Sequence, residues 1–282
     1  MSSACLFHIR CLAQAPLQTL GIIAGNGVYP RLLADAARRA GVEKIIAAAF
    51  TGETDPVVAQ HVDLIEWMRV GQLNRLLKFF NQNKVHHAIM AGQIAPKNLF
   101  DLRPDLKALL LLGKLKQRNA ESIFAAIADE LARIDVELLS ATTFLEDSLA
   151  AAGLIAGSKL SRREEEDVDL GWQIAKEISR LDIGQTVIVK NGTVVAVEAF
   201  EGTNDTIRRG GALAREDAVM VKVAKPDQDM RFDVPVIGLE TIRVAAEAKL
   251  RVIAIEAGKT LLLERELIVN LAARSKISIV AR

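Results

Sequence analysis

Leu20-Gly21-Ile22-Ile23-Ala24-Gly25-Asn26-Gly27-Val28-Tyr29-Pro30 decides how the first half of the chain is read. The apolar run from Leu20 to Ala24, stopped by Gly25-Asn26-Gly27, reads as a buried strand followed by a tight turn. Pro30 then opens a helix at its first turn, with Leu32, Leu33, Ala36 and Ala37 on one face and Gly41 at its end. Working outward, Lys44–Phe50, Leu64–Met68 and His87–Ala91 read as further strands, and 72–82 as a helix carrying Leu73, Leu76, Leu77 and Phe80. Strands that are apolar on both faces and alternate with helices point to a parallel sheet covered by helices, a doubly wound, Rossmann-like α/β unit.

Beyond it, 105–133 has helical periodicity broken near Gly113 to Asn119, and 138–144 reads as one more strand. The stretch 148–166 changes character: an Ala/Gly-rich run, then Ser161-Arg162-Arg163-Glu164-Glu165-Glu166, a solvated helix start. It is expected to connect an N-terminal domain at 18–147 to a C-terminal domain at 167–282. The second half begins with a helix at 165–180. Thr186–Lys190 and 193–199 follow, joined by Asn191-Gly192, the strongest short-range signal for a hairpin. Strands at 218–223, 251–255, 260–263 and 277–280, with helices at 239–249 and Arg265–Arg274, predict an α+β domain with a mixed sheet.

The chain has 282 residues, half of them apolar and a quarter charged, which excludes disorder and collagen-like repeats. Thirty-six basic against 35 acidic residues leave a net charge of +1, so nothing in the total marks a nucleic-acid binder. Mean hydropathy is +0.21, yet no uncharged apolar run is long enough to span a bilayer. Cys5 and Cys11 make neither a disulfide framework nor a zinc set. Ala13-Gln14-Ala15 mimics a signal-peptidase site, but His8 and Arg10 interrupt the apolar core before it, and a cytoplasmic location is expected.

Three segments carry candidate chemistry. Gly25, Asn26 and Gly27 stand between a strand and a helix N-terminus, where backbone N–H groups favour an anion; a bare tight turn explains them too. Nicotinamide binding is disfavoured, because Pro30 replaces the third glycine and no acidic residue closes the second strand at Phe50-Thr51. The second segment runs from Lys225 through Pro226, Asp227, Gln228, Asp229, Met230, Arg231, Phe232 and Asp233 to Pro235. Three carboxylates at this density suit Mg2+ or Mn2+, with Lys225 and Arg231 left to neutralise phosphate oxygens. A hydrated loop with local ion pairs is the plainer alternative. The third runs from Glu198 to Asp205: Glu201-Gly202-Thr203-Asn204 can cap a helix through the Thr or Asn side chain, and the segment brings Glu201 and Asp205 to the end of the same sheet. The histidines His8, His61, His86 and His87 have no metal spacing, and no nucleophile elbow is present.

Read together, Leu20 to Pro30, Ala91-Gly92-Gln93, Asp182-Ile183-Gly184-Gln185, Val195 to Thr203, Lys225 to Gly238 and Glu256-Ala257-Gly258 resemble the UDP-2,3-diacylglucosamine diphosphatases of the LpxI type. The resemblance implies a metal-dependent hydrolase of lipid A biosynthesis. Such an enzyme cleaves UDP-2,3-diacylglucosamine to UMP and 2,3-diacylglucosamine 1-phosphate, with the substrate in a cleft between the two domains and water attacking the phosphorus nearer the sugar. It places the catalytic aspartate on Asp233, supported by Asp229, Arg231 and Lys225. Gly25, Asn26, Gly27, Gly92, Gln185, Glu201, Gly202, Thr203 and Gln228 are expected on the substrate, and Asp233, Asp229 and Glu201 on Mg2+ or Mn2+. Ala108 to Leu112 and Leu149 to Ile155 are candidates for an acyl groove. A homodimer and peripheral association with the inner face of the membrane are further expectations. Two acidic positions depart from the family pattern: Asn119-Ala120-Glu121 stands for Gly-Asp-Asp, and Asn204 follows Thr203, with Asp205 displaced by one. They leave room for a different reading, a non-catalytic nucleotide or lipid binder that senses envelope-lipid supply.

Overall fold

The computed structural model describes residues 17–94, 104–115, 120–226 and 228–282. In the first half, β1 (Thr19–Ala24), β2 (Lys44–Phe50), β3 (Leu64–Met68), β4 (His87–Ala91) and the two-residue β5 (Glu137–Leu138) form one sheet in the order β3-β2-β1-β4-β5. All its pairings are parallel. β1, β2 and β4 are buried over nearly their whole length, as their lack of apolar–polar alternation requires. Helix α1 (Tyr29–Arg39) covers one face, through Leu33, Ala36 and Ala37 packed on Leu20, Ile22 and Ile89. α2 (Leu73–Gln82), α3 (Leu106–Lys114) and α4 (Ala120–Ala132) cover the other, through Leu76, Phe80, Ala108 and Leu131.

The second half is a mixed six-stranded sheet in the order β6-β13-β11-β9-β7-β8. Its strands are β6 (Gly153–Ala156), β7 (Thr186–Lys190), β8 (Thr193–Val197), β9 (Ala218–Lys222), β11 (Leu250–Ile255) and β13 (Ser278–Ala281). β9, β11 and β13 run parallel, and β6 and β7 run against them. α5 (Arg162–Arg180) packs Val168 and Ala175 on one face, while α6 (Thr203–Ala214), α7 (Leu239–Glu247) and α8 (Arg265–Arg274) cover the other. A parallel pair, β10 (Val236–Ile237) and β12 (Leu261–Leu262), stands apart from both sheets. The molecule is therefore α/β throughout, with one parallel and one mixed sheet.

Two readings of the sequence change. Of 138–144, only Leu138 belongs to a strand; the chain then turns, with Phe144 at φ 69°, because the Ala141 N–H is taken by the Met230 carbonyl at 2.7 Å. The stretch 148–166 contains β6, an edge strand made by antiparallel pairing with β13 more than 100 residues away along the chain. The charged run that follows starts α5 with a capping box, Ser161 and Glu164 exchanging side-chain and backbone hydrogen bonds.

The Asn-Gly hairpin forms as read, with φ of 50° at Asn191 and 73° at Gly192. Asp167, buried on α5, accepts from the Asn191 and Gly192 N–H groups at 2.8 and 2.6 Å, tying the helix to the turn. Asp167→Ala leaves both donors without their acceptor and should lower unfolding stability by about 1–3 kcal/mol in urea denaturation; an unchanged midpoint would mean that water replaces the carboxylate at no cost.

Candidate active site at the carboxyl edges of the two sheets

The first sheet reverses its strand order between β1 and β4, and the predicted glycines stand at those two carboxyl ends. The Gly25 N–H donates to Ala91 O at 2.7 Å and the Asn26 N–H to Gln93 O at 2.6 Å. The backbones interlock so closely that a Cβ on Gly25 would lie 2.6 Å from the Gln93 carbonyl oxygen, and one on Gly92 2.5 Å from that of Asn26. Close packing of two turns thus accounts for Gly25 and Gly92 on its own. Gly27 differs: its φ is +88°, and nothing lies within 4 Å of where its Cβ would be, so its backbone faces open space.

The segment that carries Asp233 is pressed against this first half. The Met230 carbonyl accepts from Ala141, just past β5, which puts the segment at the carboxyl edge of the first sheet. Phe232 packs against the core on the α2/α4 face, its ring 5.7 Å from that of Phe124, while Val234 packs against the core on the α1 face. Asp233 lies between them, partly exposed, with Lys225 Nζ 3.5 Å from its carboxylate and also bonded to Asp182.

The carboxyl ends of β8 and β9 carry two buried charges: Glu198, which opens the third segment without an expected role there, and Lys222, which spacing does not single out. Lys222 Nζ donates to Thr203 Oγ1 at 3.0 Å, and Thr203 donates to Glu198 Oε1 at 3.0 Å. Burial pushes the Lys222 ammonium below the ordinary lysine range, against the attraction of Glu198 and Asp233. The sequence did hold a signal, a lysine inside the apolar run Ala218-Val219-Met220-Val221-Lys222-Val223-Ala224. Thr203 does not cap α6: Gly202 is the N-cap, at φ 84°, no side chain caps the helix, and the Thr203 hydroxyl is given to Glu198 instead.

The three expected metal ligands are not assembled. Asp229 is forked by the Arg231 guanidinium at 2.6–3.1 Å, which holds its carboxyl below the usual range. Glu201 is bonded to Arg209; burial works to raise its carboxyl, but the guanidinium and backbone N–H groups outweigh it. Among the described residues no group of three His, Cys, Asp or Glu is placed to hold a metal. Among the described residues, Asp233 alone of the three has no guanidinium on it. Mg2+ commonly takes one or two carboxylates plus substrate phosphates and keeps its own waters, so this donor set fits that mode and not a protein cage. Asp205, displaced from the family position, turns to Arg208 on its own helix at 2.7 Å. Asp227 and Asn119 lie outside the described residues.

Gln185 and Gln228 flank the end of β9: the Gln185 carbonyl accepts from the Val223 N–H at 3.0 Å, and Gln228 Oε1 from the Lys225 N–H at 2.6 Å. Gln185 Oε1 and Gln228 Nε2 are buried without a hydrogen-bond partner among the described residues. Glu256 anchors the strand end from below, accepting from Lys176 at 2.6 Å and from the Ala224 N–H at 2.9 Å.

Two outcomes follow from this geometry. Gly25→Ala and Gly92→Ala should each lower the melting temperature markedly, whereas Gly27→Ala should cost only about 1–2 kcal/mol of backbone strain; equal losses at all three positions would contradict the interlock. Burial alone would raise the Glu256 carboxyl, but Lys176, the Ala224 N–H and Lys259 hold it below its usual range. Its contribution to stability is therefore complete above the unfolded carboxylate pKa, about 4.3, and lost as pH falls through its lower folded-state pKa. Glu256→Gln should accordingly destabilise strongly at pH 7 and progressively less as pH is lowered through that window in thermal melts.

No helix of the described residues is long and apolar enough to cross a membrane. In comparison with known proteins, models of the LpxI N-terminal domain and the LpxI C-terminal domain match residues 19–148 and 151–280. The UDP-2,3-diacylglucosamine pyrophosphatase LpxI of Caulobacter vibrioides is 29% identical over 267 residues, which cover 91% of this chain and 94% of that one. Among solved structures, the biotin carboxylase domain of the Hydrogenobacter thermophilus 2-oxoglutarate carboxylase matches 64% of this chain and 36% of its own, at 11% identity and a TM-score of 0.26, too low to draw on. With both halves matched in order, the chain belongs to the LpxI family.

Proposed function

We propose that the protein hydrolyses the diphosphate of UDP-2,3-diacylglucosamine to UMP and 2,3-diacylglucosamine 1-phosphate, a step of lipid A biosynthesis. The observation that carries this reading is the position of Asp233: a carboxylate at the carboxyl edge of the first sheet, with the Lys225 ammonium 3.5 Å away. The name of the Caulobacter relative, matched along nearly its whole length, supports the same chemistry.

A diphosphate resists hydrolysis because its anionic oxygens repel the incoming water. Lys225, held between Asp182 and Asp233, is placed to draw on those oxygens, and the open Gly27 turn at the N-terminus of α1 suits a second phosphate or the nucleotide. Asp233 accepts a proton or orients the attacking water. Asp233 would be the residue that holds Mg2+ or Mn2+, and the ion, when bound, would supply further charge neutralisation. The first domain is read as Rossmann-like on its β3-β2-β1-β4 order, and the substrate as lying in a cleft between the domains. Leu106, Leu109 and Leu110, exposed along α3, suit acyl chains or the face of a membrane. The second reading, a binder without turnover, draws on Asn204 and on Asp205 being turned away to Arg208.

With Mg2+ the protein should release UMP from UDP-2,3-diacylglucosamine, EDTA should stop the release, and added Mg2+ should restore it. Asp233→Asn should lower kcat by about 100-fold or more with folding retained. Tight ligand binding by calorimetry with no UMP formed would favour the sensor and contradict the enzyme.

A further inference from the structure

Lys222 ends β9 at 4% exposure, a buried cation for which the chemistry above has no use. An ammonium taken out of water needs fixed partners. Two are in place: Thr203 Oγ1 at 3.0 Å and the Val236 carbonyl at 3.3 Å. The Thr203 hydroxyl has one proton and gives it to Glu198, so a lone pair is turned to the ammonium. Glu198, 6% exposed, takes the Gln185 N–H on its other oxygen at 3.3 Å. One cation thereby joins the end of β8, the first turn of α6 and Val236, three residues beyond Asp233 in the same extended segment.

We propose that Lys222 is a positioning residue for Asp233: its buried ammonium, backed by Thr203 and Glu198, pins the Val236 carbonyl and so fixes where the Asp233 carboxylate stands. Among the described residues, Glu198 and Asp233 are the anions that attract Lys222. A cation that feels both a structural carboxylate and the one read as facing substrate suits such a role. Thr203 then belongs to this support and its hydroxyl proton does not face the substrate. The inference rests on the reading of Asp233 as the working carboxylate.

The test compares four variants with the wild type in UMP release from UDP-2,3-diacylglucosamine. Lys222→Met should lower kcat by about 10- to 100-fold, as loss of a supporting group does, with KM little changed and the circular dichroism spectrum retained. Lys222→Ala should regain part of its kcat in ethylammonium chloride and none in sodium chloride, a response that a merely structural defect would not give. Should Lys222→Met fail to fold, Thr203→Val, which keeps the shape and removes the hydroxyl between the two charges, should show the same loss of kcat. Wild-type kcat in Lys222→Met or Thr203→Val, or no amine response in Lys222→Ala, overturns the inference. Asp233→Asn separates the two claims: if it is inactive while Lys222→Met is normal, only the role of Lys222 falls, and if it is itself fully active, the reading of the site falls first.

Discussion

Phe232 and Val234 enter the apolar cores on opposite faces of the first sheet, and the peptide between them must hold Asp233 at that sheet's edge. Hydrophobic burial thus places a charged group. Two apolar side chains, both partly buried, hold the carboxylate between the two cores. The Ala141 N–H to Met230 carbonyl bond adds direction, since it ties the segment to the carboxyl end of β5. The connection between the two halves is therefore a packed one: β10, β12 and the Asp233 segment belong by sequence to the second half and lean on the first.

Electrostatics then sorts the acidic residues that the sequence crowds together. Asp229 and Glu201 each have their charge paired with an arginine close by, and surface pairs of that kind contribute little stability. Among the described residues the cations that act on Asp233 are lysines, Lys225 mostly buried and Lys222 fully so, and an ammonium is a point charge that a phosphate can share. The residues quoted in one motif thus do different work: Arg231 closes on Asp229, and Lys225 remains at the site.

Local pattern made the strands of the first sheet legible, because parallel strands buried on both faces show as unbroken apolar runs, and Asn191-Gly192 named its own turn. What spacing could not show was long-range. β6 exists only through β13, and the strand expected over 138–144 stops early because Met230 captures Ala141. Glu198 and Lys222 are 24 positions apart, and nothing short of the β7–β8 and β7–β9 pairings brings them together. Thr203 had the right residue type for a cap, but Gly202 takes the N-cap position, and the Thr203 hydroxyl donates to Glu198 and accepts from Lys222. Gly25 and Gly92 were read for a ligand and are explained by each other; Gly27 is the position that packing leaves unexplained.

The central claim is that the glycine turn of the first sheet and the Asp233 segment of the second half serve one ligand. Amide hydrogen exchange with and without a methylene-bridged, non-hydrolysable analogue of UDP-2,3-diacylglucosamine tests it directly. The account predicts simultaneous protection of 24–28 and of 228–236. Protection of one of these segments with the other unchanged would contradict it.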